Sequence, residues 1–158
     1  MFVKLRSPTG VKLRSAGRDD FSFAERLYVE STNPLLKAIG RWDAAAVAQR
    51  FSDGFRRGPS QIVCIDGKDI GWLQVSRRDA SIHLHQVQLI KAFRNRGIGT
   101  ELIRSVMAEA KRLDLPLTLN VIRGNPAIEL YRRLGFRVVS EDAELLKMQW
   151  DPSACAEP

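Results

Sequence analysis

The chain has 158 residues, 44% hydrophobic and 27% charged, with no low-complexity tract, which fits one folded domain with a real core. No apolar run approaches the ~20 residues that span a bilayer, and the opening stretch MFVKLRSPTG lacks the apolar centre of a secretory signal. The net charge of +7 raises nucleic acid as a partner, but the arginines are scattered without interleaved aromatics, and a small polyanionic ligand accounts for the charge equally well.

In chain order, VKLRS occurs at 3–7 and again at 11–15, with PTG between. The two copies read either as a hairpin or as a frayed extension followed by the first core strand. The second copy is favoured as that strand, because GRDD follows it with a helix start. Asp20 is expected to cap a helix over FSFAERLYVES, striped by Phe23, Leu27 and Tyr28 or Phe21. A second helix is expected over DAAAVAQRFSDGF, ended by Gly54. The period then changes to two: QIVCI, DIGWLQVS and SIHLHQVQLI read as an antiparallel meander with turns at DGK and RRDA.

Beyond FRNRGIGT, the residues Leu102, Ile103, Val106, Met107, Ala110 and Leu113 lie on one helical face. Pro116 precedes an alternating strand, Leu117, Leu119 and Val121. A short helix follows, with Asn125 as N-cap, Pro126 at its start and Gly135 as its stop. FRVVS and ELLKMQW face each other across EDA, and the tail at 151–158 is expected to be loose. The order β, α, α, β, β, β, α, β, α, β, β implies one mixed α/β (α+β) sheet with helices on both faces.

SIHLHQVQLI changes parity midway: Ile82 and Leu84 share one parity, Val87 and Leu89 the other. Either an extra residue near His85 or Gln86 bulges the strand and returns both pairs to one face, or the strand is buried on both faces. The strand leads into FRNRGIGT at 93–100. Gly97 and Gly99 would let the backbone approach phosphate oxygens, Arg94 and Arg96 would add charge, and the next helix opens with unpaired N–H groups. The loop lacks the Gly-Lys-Ser/Thr of a P-loop and the third glycine of a dinucleotide fingerprint.

Two segments together resemble the GNAT superfamily of N-acetyltransferases, over roughly residues 11–150. Arg94-x-x-Gly97-x-Gly99 is similar to that family's pyrophosphate loop, and NPAIELYRRLGF to its Asn-x-x-Ala-x-x-Leu-Tyr-x-x-x-Gly-Phe pattern; Asn125 stands 26 residues after Gly99. The resemblance implies a mostly antiparallel sheet with one splayed parallel strand pair, at 87–90 and 117–121, holding acetyl-CoA in the gap. It further implies that the backbone of Leu89 and Ile90 pairs with the pantetheine arm, with an N–H in this stretch polarising the thioester oxygen. The N–H groups of Asn95, Arg96, Gly97, Ile98, Gly99 and Thr100 would cradle the pyrophosphate, and Asn125 would both cap its helix and touch the cofactor.

Acyl transfer to an amine needs a neutral nitrogen and a protonated leaving sulfur. Tyr131 matches the family's general acid, although Ala127, Leu130 and Leu134 on the same surface also suit a core tyrosine. His83 and His85 share a face of a regular strand, and HLHQVQL resembles the paired histidines of arylalkylamine N-acetyltransferases. A base is expected among them, with His83 ahead. Two histidines without a nearby carboxylate make a poor metal site, so no metal is expected. Cys64 reads as core packing; with Cys155 in the tail, no disulfide framework and no acyl-enzyme are expected. Tyr28, Glu30, Trp42, Asp43, Trp72 and Gln74 are candidate acceptor contacts.

The leading expectation is thus a cytoplasmic acyltransferase using acetyl-CoA and a small amine, in one domain at 1–158, without nucleic-acid or membrane partners. A homodimer is permitted by the edge of the last strands. The alternatives are a protein or peptide acetyltransferase, which usually carries glutamate where this strand carries histidine, and a non-catalytic acyl-CoA-binding module.

Overall fold

Residues 1–5 and 10–153 are described in the structure, a computed structural model. Their elements follow the expected order: β1 Val11–Ser15, α1 Phe21–Ala38, α2 Ala44–Arg56, β2 Ser60–Ile65, β3 Lys68–Arg77, β4 Ile82–Leu89, α3 Ile98–Leu113, β5 Leu117–Ile122, α4 Ala127–Arg133, β6 Arg137–Glu141 and β7 Leu145–Trp150. Hydrogen bonding orders the strands β1-β2-β3-β4-β5-β7-β6. Every neighbouring pair is antiparallel except β4 and β5.

Strand alternation sends Val63, Leu73, Leu84, Leu117, Leu119 and Met148 to one face. There they meet Leu102, Ile103, Val106 and Ala110 of α3 and Ile128 and Tyr131 of α4. Each large apolar side chain removed from water in this layer contributes about 1.5–3 kcal/mol. On the opposite face Ile62 and Trp72 pack under Ala24 and Leu27 of α1 and Phe51 of α2. No helix among the described residues is long and apolar enough to cross a membrane.

Three local expectations are corrected. α1 continues seven residues past Ser31 to Ala38, through Pro34. Burial of Thr32 and Leu36 on either side of the proline offsets the missing backbone bond. Asp20 stands at the helix entry without capping it. Its carboxylate turns back to accept the Gly17 N–H at 2.8 Å and the Arg14 guanidinium at 2.8 and 3.0 Å. Gly54 does not end α2, which runs on to Arg56; the Gly54 carbonyl instead accepts from the Gln74 side chain at 2.9 Å.

At the chain start Val3 is buried, and the Gln61 amide takes both its backbone groups, at 2.8 and 3.1 Å. Residues 3–5 of the first VKLRS copy are not in a strand; the turn proposed for the hairpin falls largely on residues 6–9, outside the described residues. At the other end Asp151 is held by Arg137 at 3.0 Å and Gln149 at 2.9 Å. The rest of the expected loose tail, with Cys155, lies outside the described residues from 154 onward.

Candidate functional site

The parity change in β4 is a bulge. Gln74 of β3 pairs with Gln86 and Val75 with Leu84, so His85 is the extra residue. Parallel pairing of β4 with β5 covers just Ile82, His83 and Leu84 against Leu117, Thr118 and Leu119, and stops at the bulge. β5 continues to pair with β7 through Ile122. The gap therefore lies between 85–90 and 120–122, somewhat further along β5 than the sequence suggests.

Backbone direction refines the expected pantetheine contacts. The Ile90 N–H donates to the Ile70 carbonyl of β3 at 2.8 Å, so it is turned away from the gap. Strand alternation then points the N–H groups of Val87 and Leu89 into it. The Leu89 carbonyl accepts from Arg94 Nε at 2.9 Å, so Arg94 braces the loop against the strand end. Val87 had no motif to mark it; only the strand register identifies it.

FRNRGIGT crosses from the end of β4 to the start of α3. Asn95 (φ 61°) and Gly97 (φ 80°) are left-handed, and together they turn the chain so that Ile98 opens α3 directly. The first backbone acceptance is the Gly97 carbonyl by Glu101 at 3.0 Å, leaving the N–H groups of Ile98, Gly99 and Thr100 at the helix mouth. A Cβ built on Gly99 meets nothing within 4 Å. The protein's own packing therefore does not require this glycine, and the space above it suits an incoming phosphate. Arg96 lies over the Phe93 ring at 5.0 Å. Arg96, Gly97 and Thr100 open onto a groove of about 1110 Å³ along α3, walled opposite by Phe2 and Lys4.

Asn125 caps α4, its Oδ1 accepting the Ala127 N–H at 2.9 Å. Tyr131 is 7% exposed, edge-on to Phe136 at 5.7 Å, and burial pushes its pKa up to about 12. It therefore holds its proton at neutral pH, as an acid must.

His83 lies on the other face of the sheet, 5% exposed. Its Nδ1 is 2.7 Å from Thr118 Oγ, and that hydroxyl donates to the Ile82 carbonyl at 3.4 Å. This arrangement puts the proton on Nδ1 and leaves Nε2 as the lone-pair nitrogen. Burial, followed by the His85, Arg78 and Lys147 charges, lowers the His83 pKa to about 3. His85 Nε2 is 2.9 Å from Ser76 Oγ, and burial with Arg78 and Arg57 lowers its pKa also. The two rings meet edge-on at 4.6 Å, so the bulge does not part them. Thr118 and Ser76 escaped sequence reasoning, although strand parity places both on the histidine face.

Several of the candidate acceptor residues make contacts within the fold. Trp72 packs against Phe51 and Phe55 at 5.4 and 5.9 Å, and Gln74 anchors the end of α2. Asp43 caps α2 at 3.1 Å. Glu30 is exposed, and Trp42 lies under Lys37 on the surface. Tyr28 rests on Phe51 at 5.6 Å, and burial raises its pKa. Cys64 is a free thiol, hydrogen-bonded to Asp69 at 3.4 Å and raised in pKa by burial. Among the described residues no group of three or more His, Cys, Asp or Glu is placed to hold a metal.

Residues 23–136 match the acetyltransferase (GNAT) family. The chain belongs to that family. An uncharacterised N-acetyltransferase of Methanocaldococcus jannaschii is 29% identical over 152 residues, covering 85% of this chain; the chain spans 62% of that relative's length. The GNAT fold is also seen in the PaiA N-acetyltransferase of Thermoplasma acidophilum in complex with coenzyme A (TM-score 0.69, 16% identity, 89% of this chain and 98% of that one). The ribosomal-protein-S18-alanine N-acetyltransferase of Escherichia coli shares it too (TM-score 0.66, 16% identity, 89% and 93%). Both likenesses establish the GNAT fold, and the acceptor must be argued from the site.

Proposed function

We propose that this protein transfers an acetyl group from acetyl-CoA to the primary amine of a small molecule, by direct attack and without an acyl-enzyme. The observation that carries this reading is the β4–β5 gap, with open space above Gly99 at the start of α3. Coenzyme A bound in the PaiA structure supports acetyl-CoA as donor. The pyrophosphate would sit on the N–H groups of Ile98, Gly99 and Thr100, and the groove beside Arg96 and Lys4 has room for the nucleotide end. The N–H groups of Val87 and Leu89 would hold the pantetheine arm, one of them polarising the thioester carbonyl. Asn125 keeps its amide nitrogen for the same arm.

Tyr131 and His83 lie on opposite faces of the sheet and would reach the gap from its two sides. Tyr131 would give its proton to the leaving sulfur. His83 Nε2, neutral throughout the physiological range, would accept a hydrogen bond from the attacking amine or from a water that relays its proton. With a pKa near 3, it orients the nitrogen better than it stores a proton. The amine must therefore arrive neutral, or lose its proton to bulk solvent through that water. Cys64 lies in β2 beside Asp69, two strands away from β4, which supports attack without an acylated thiol.

The test is release of free thiol from acetyl-CoA across small amines, amino acids and short peptides. Turnover with small amines or amino acids is the expected result. Turnover confined to peptides would move the acceptor class, and tight coenzyme binding without turnover on any acceptor would defeat the catalytic reading.

A further inference from the structure

The sheet face carrying the histidines is covered as far as Thr118 of β5 but opens at Asn120 and Lys147, where the charge is positive. His83 pairs with Thr118, Thr118 with Gln149, and Asn120 with Lys147. By alternation these side chains share the face that α1 and α2 cover over β2 to β4. Asn120 and Lys147 are nonetheless exposed, although β5 is an interior strand. They form an open polar floor beside the gap. Lys147 stands two strand spacings across and two residues along from His83, roughly 12 Å between backbones, and its flexible stem can lean toward the imidazole.

Arg78, in the β3–β4 turn, and Arg57, next in the chain to the Gly58 that lies against the Ser76 holding His85, add positive charge on this side. Neither they nor Lys147 has an ion-pair partner among the described residues. The carboxylates of the neighbouring hairpin are already engaged. Glu144 pairs with Arg50 at 2.6 Å, Glu141 with Arg123 at 3.3 Å and Asp151 with Arg137 at 3.0 Å. Asp142 accepts the N–H groups of Glu144 and Leu145 at 2.8 and 2.7 Å. Apart from Asp79 beside Arg78 in the turn, a second ammonium on an acceptor would meet carboxylates that are already engaged. A carboxylate would find Lys147, and the positive charge would also favour the neutral, attacking form of the nearby amine.

Resting on the acetyl-transfer reading above, we propose that the acceptor is an amine carrying a carboxylate, of the amino-acid type, and that Lys147 selects it. The reaction is otherwise unchanged: the amine nitrogen bonds to the acetyl carbon, the carbon–sulfur bond breaks, and the sulfur leaves as the thiol of coenzyme A.

The experiment measures kcat/KM with acetyl-CoA for a series of amino acids, each beside its decarboxylated amine and its methyl ester, with a polyamine included. The amino acids are expected to exceed their carboxylate-free partners by at least about tenfold, the size of one charged hydrogen bond. Lys147→Gln should collapse that ratio and Lys147→Arg should restore most of it, with melting temperatures matching the parent because the lysine is exposed. Equal rates for acids and esters, a preference for the polyamine, or a ratio that survives in Lys147→Gln would overturn the proposal while leaving acetyl transfer intact. Absence of thiol release with every acceptor would overturn both.

Discussion

Replacing Gly99 with valine separates coenzyme binding from folding in a way few positions allow. Gly99 has ordinary helical backbone in the first turn of α3, and a Cβ there meets no protein atom within 4 Å. Glycine is a poor helix former, so valine stabilises the helix by a few tenths of a kcal/mol at most. The melting temperature should therefore stay within about a degree or two of the parent. The same side chain would stand in the space above the N–H groups of Ile98, Gly99 and Thr100. Each hydrogen bond to a charged group is worth about 1.5–3 kcal/mol, so displacing a pyrophosphate from two of them costs about 3–6 kcal/mol. Coenzyme A affinity should fall at least a hundredfold, read by calorimetric titration alongside a thermal melt. Gly97→Val is the less clean companion, because its φ of 80° costs a branched residue stability as well. Parent-like affinity in Gly99→Val, with the fold intact, would refute the phosphate cradle.

Tyr131→Phe should keep coenzyme affinity and lower kcat by about a hundredfold or more; stopped-time thiol assays with parallel binding titrations check this, and an unchanged kcat removes the acid role. His83 is held neutral by burial, with its pKa lowered to about 3 from 6.5, so the unfolded chain binds the extra proton first. Stability is then full above about pH 6.5 and declines as pH falls toward 3, by an amount of order several kcal/mol. His83→Gln should flatten that decline in urea midpoints measured between pH 7 and 4 on the ordinary histidine and carboxylate scales, and an identical slope in both proteins would contradict the assignment. Gly71→Ala would bring a Cβ within 2.5 Å of the Gln88 carbonyl and 2.7 Å of Leu89. The backbone oxygen cannot swing away, so a loss of about 1–3 kcal/mol and a lower melting temperature are expected by calorimetry.

Local sequence carried much of this protein because much of it is decided by neighbours in the chain. The alternation of QIVCI and DIGWLQVS, the helical stripe from Leu102 to Leu113 and the turn demanded by Gly97 each follow from periods and backbone freedom within a few residues. The parity change in SIHLHQVQLI was legible for the same reason, and the bulge falls on His85. Local signals misled where long-range packing outweighed them. Pro34 and Gly54 look like helix stops, yet burial carries α1 and α2 past both, and Asp20 abandons its cap for Arg14.

No local signal in the residues fixes how β4 and β5 meet; the family resemblance implies the pair, and the tertiary structure decides its register and where it ends. These strands are separated by a whole helix, so no turn signal links them, and their pairing ends at Leu84 and Leu119 because the bulge bends β4 away. From that one event follow the gap, the inward N–H groups of Val87 and Leu89, and the 2.7 Å contact between His83 and Thr118. Lys147 reaches the same floor only because β7 is inserted between β5 and β6. Sequence period assigns a side chain to one face of its own strand, but which strands lie beside it is decided by packing across the whole sheet.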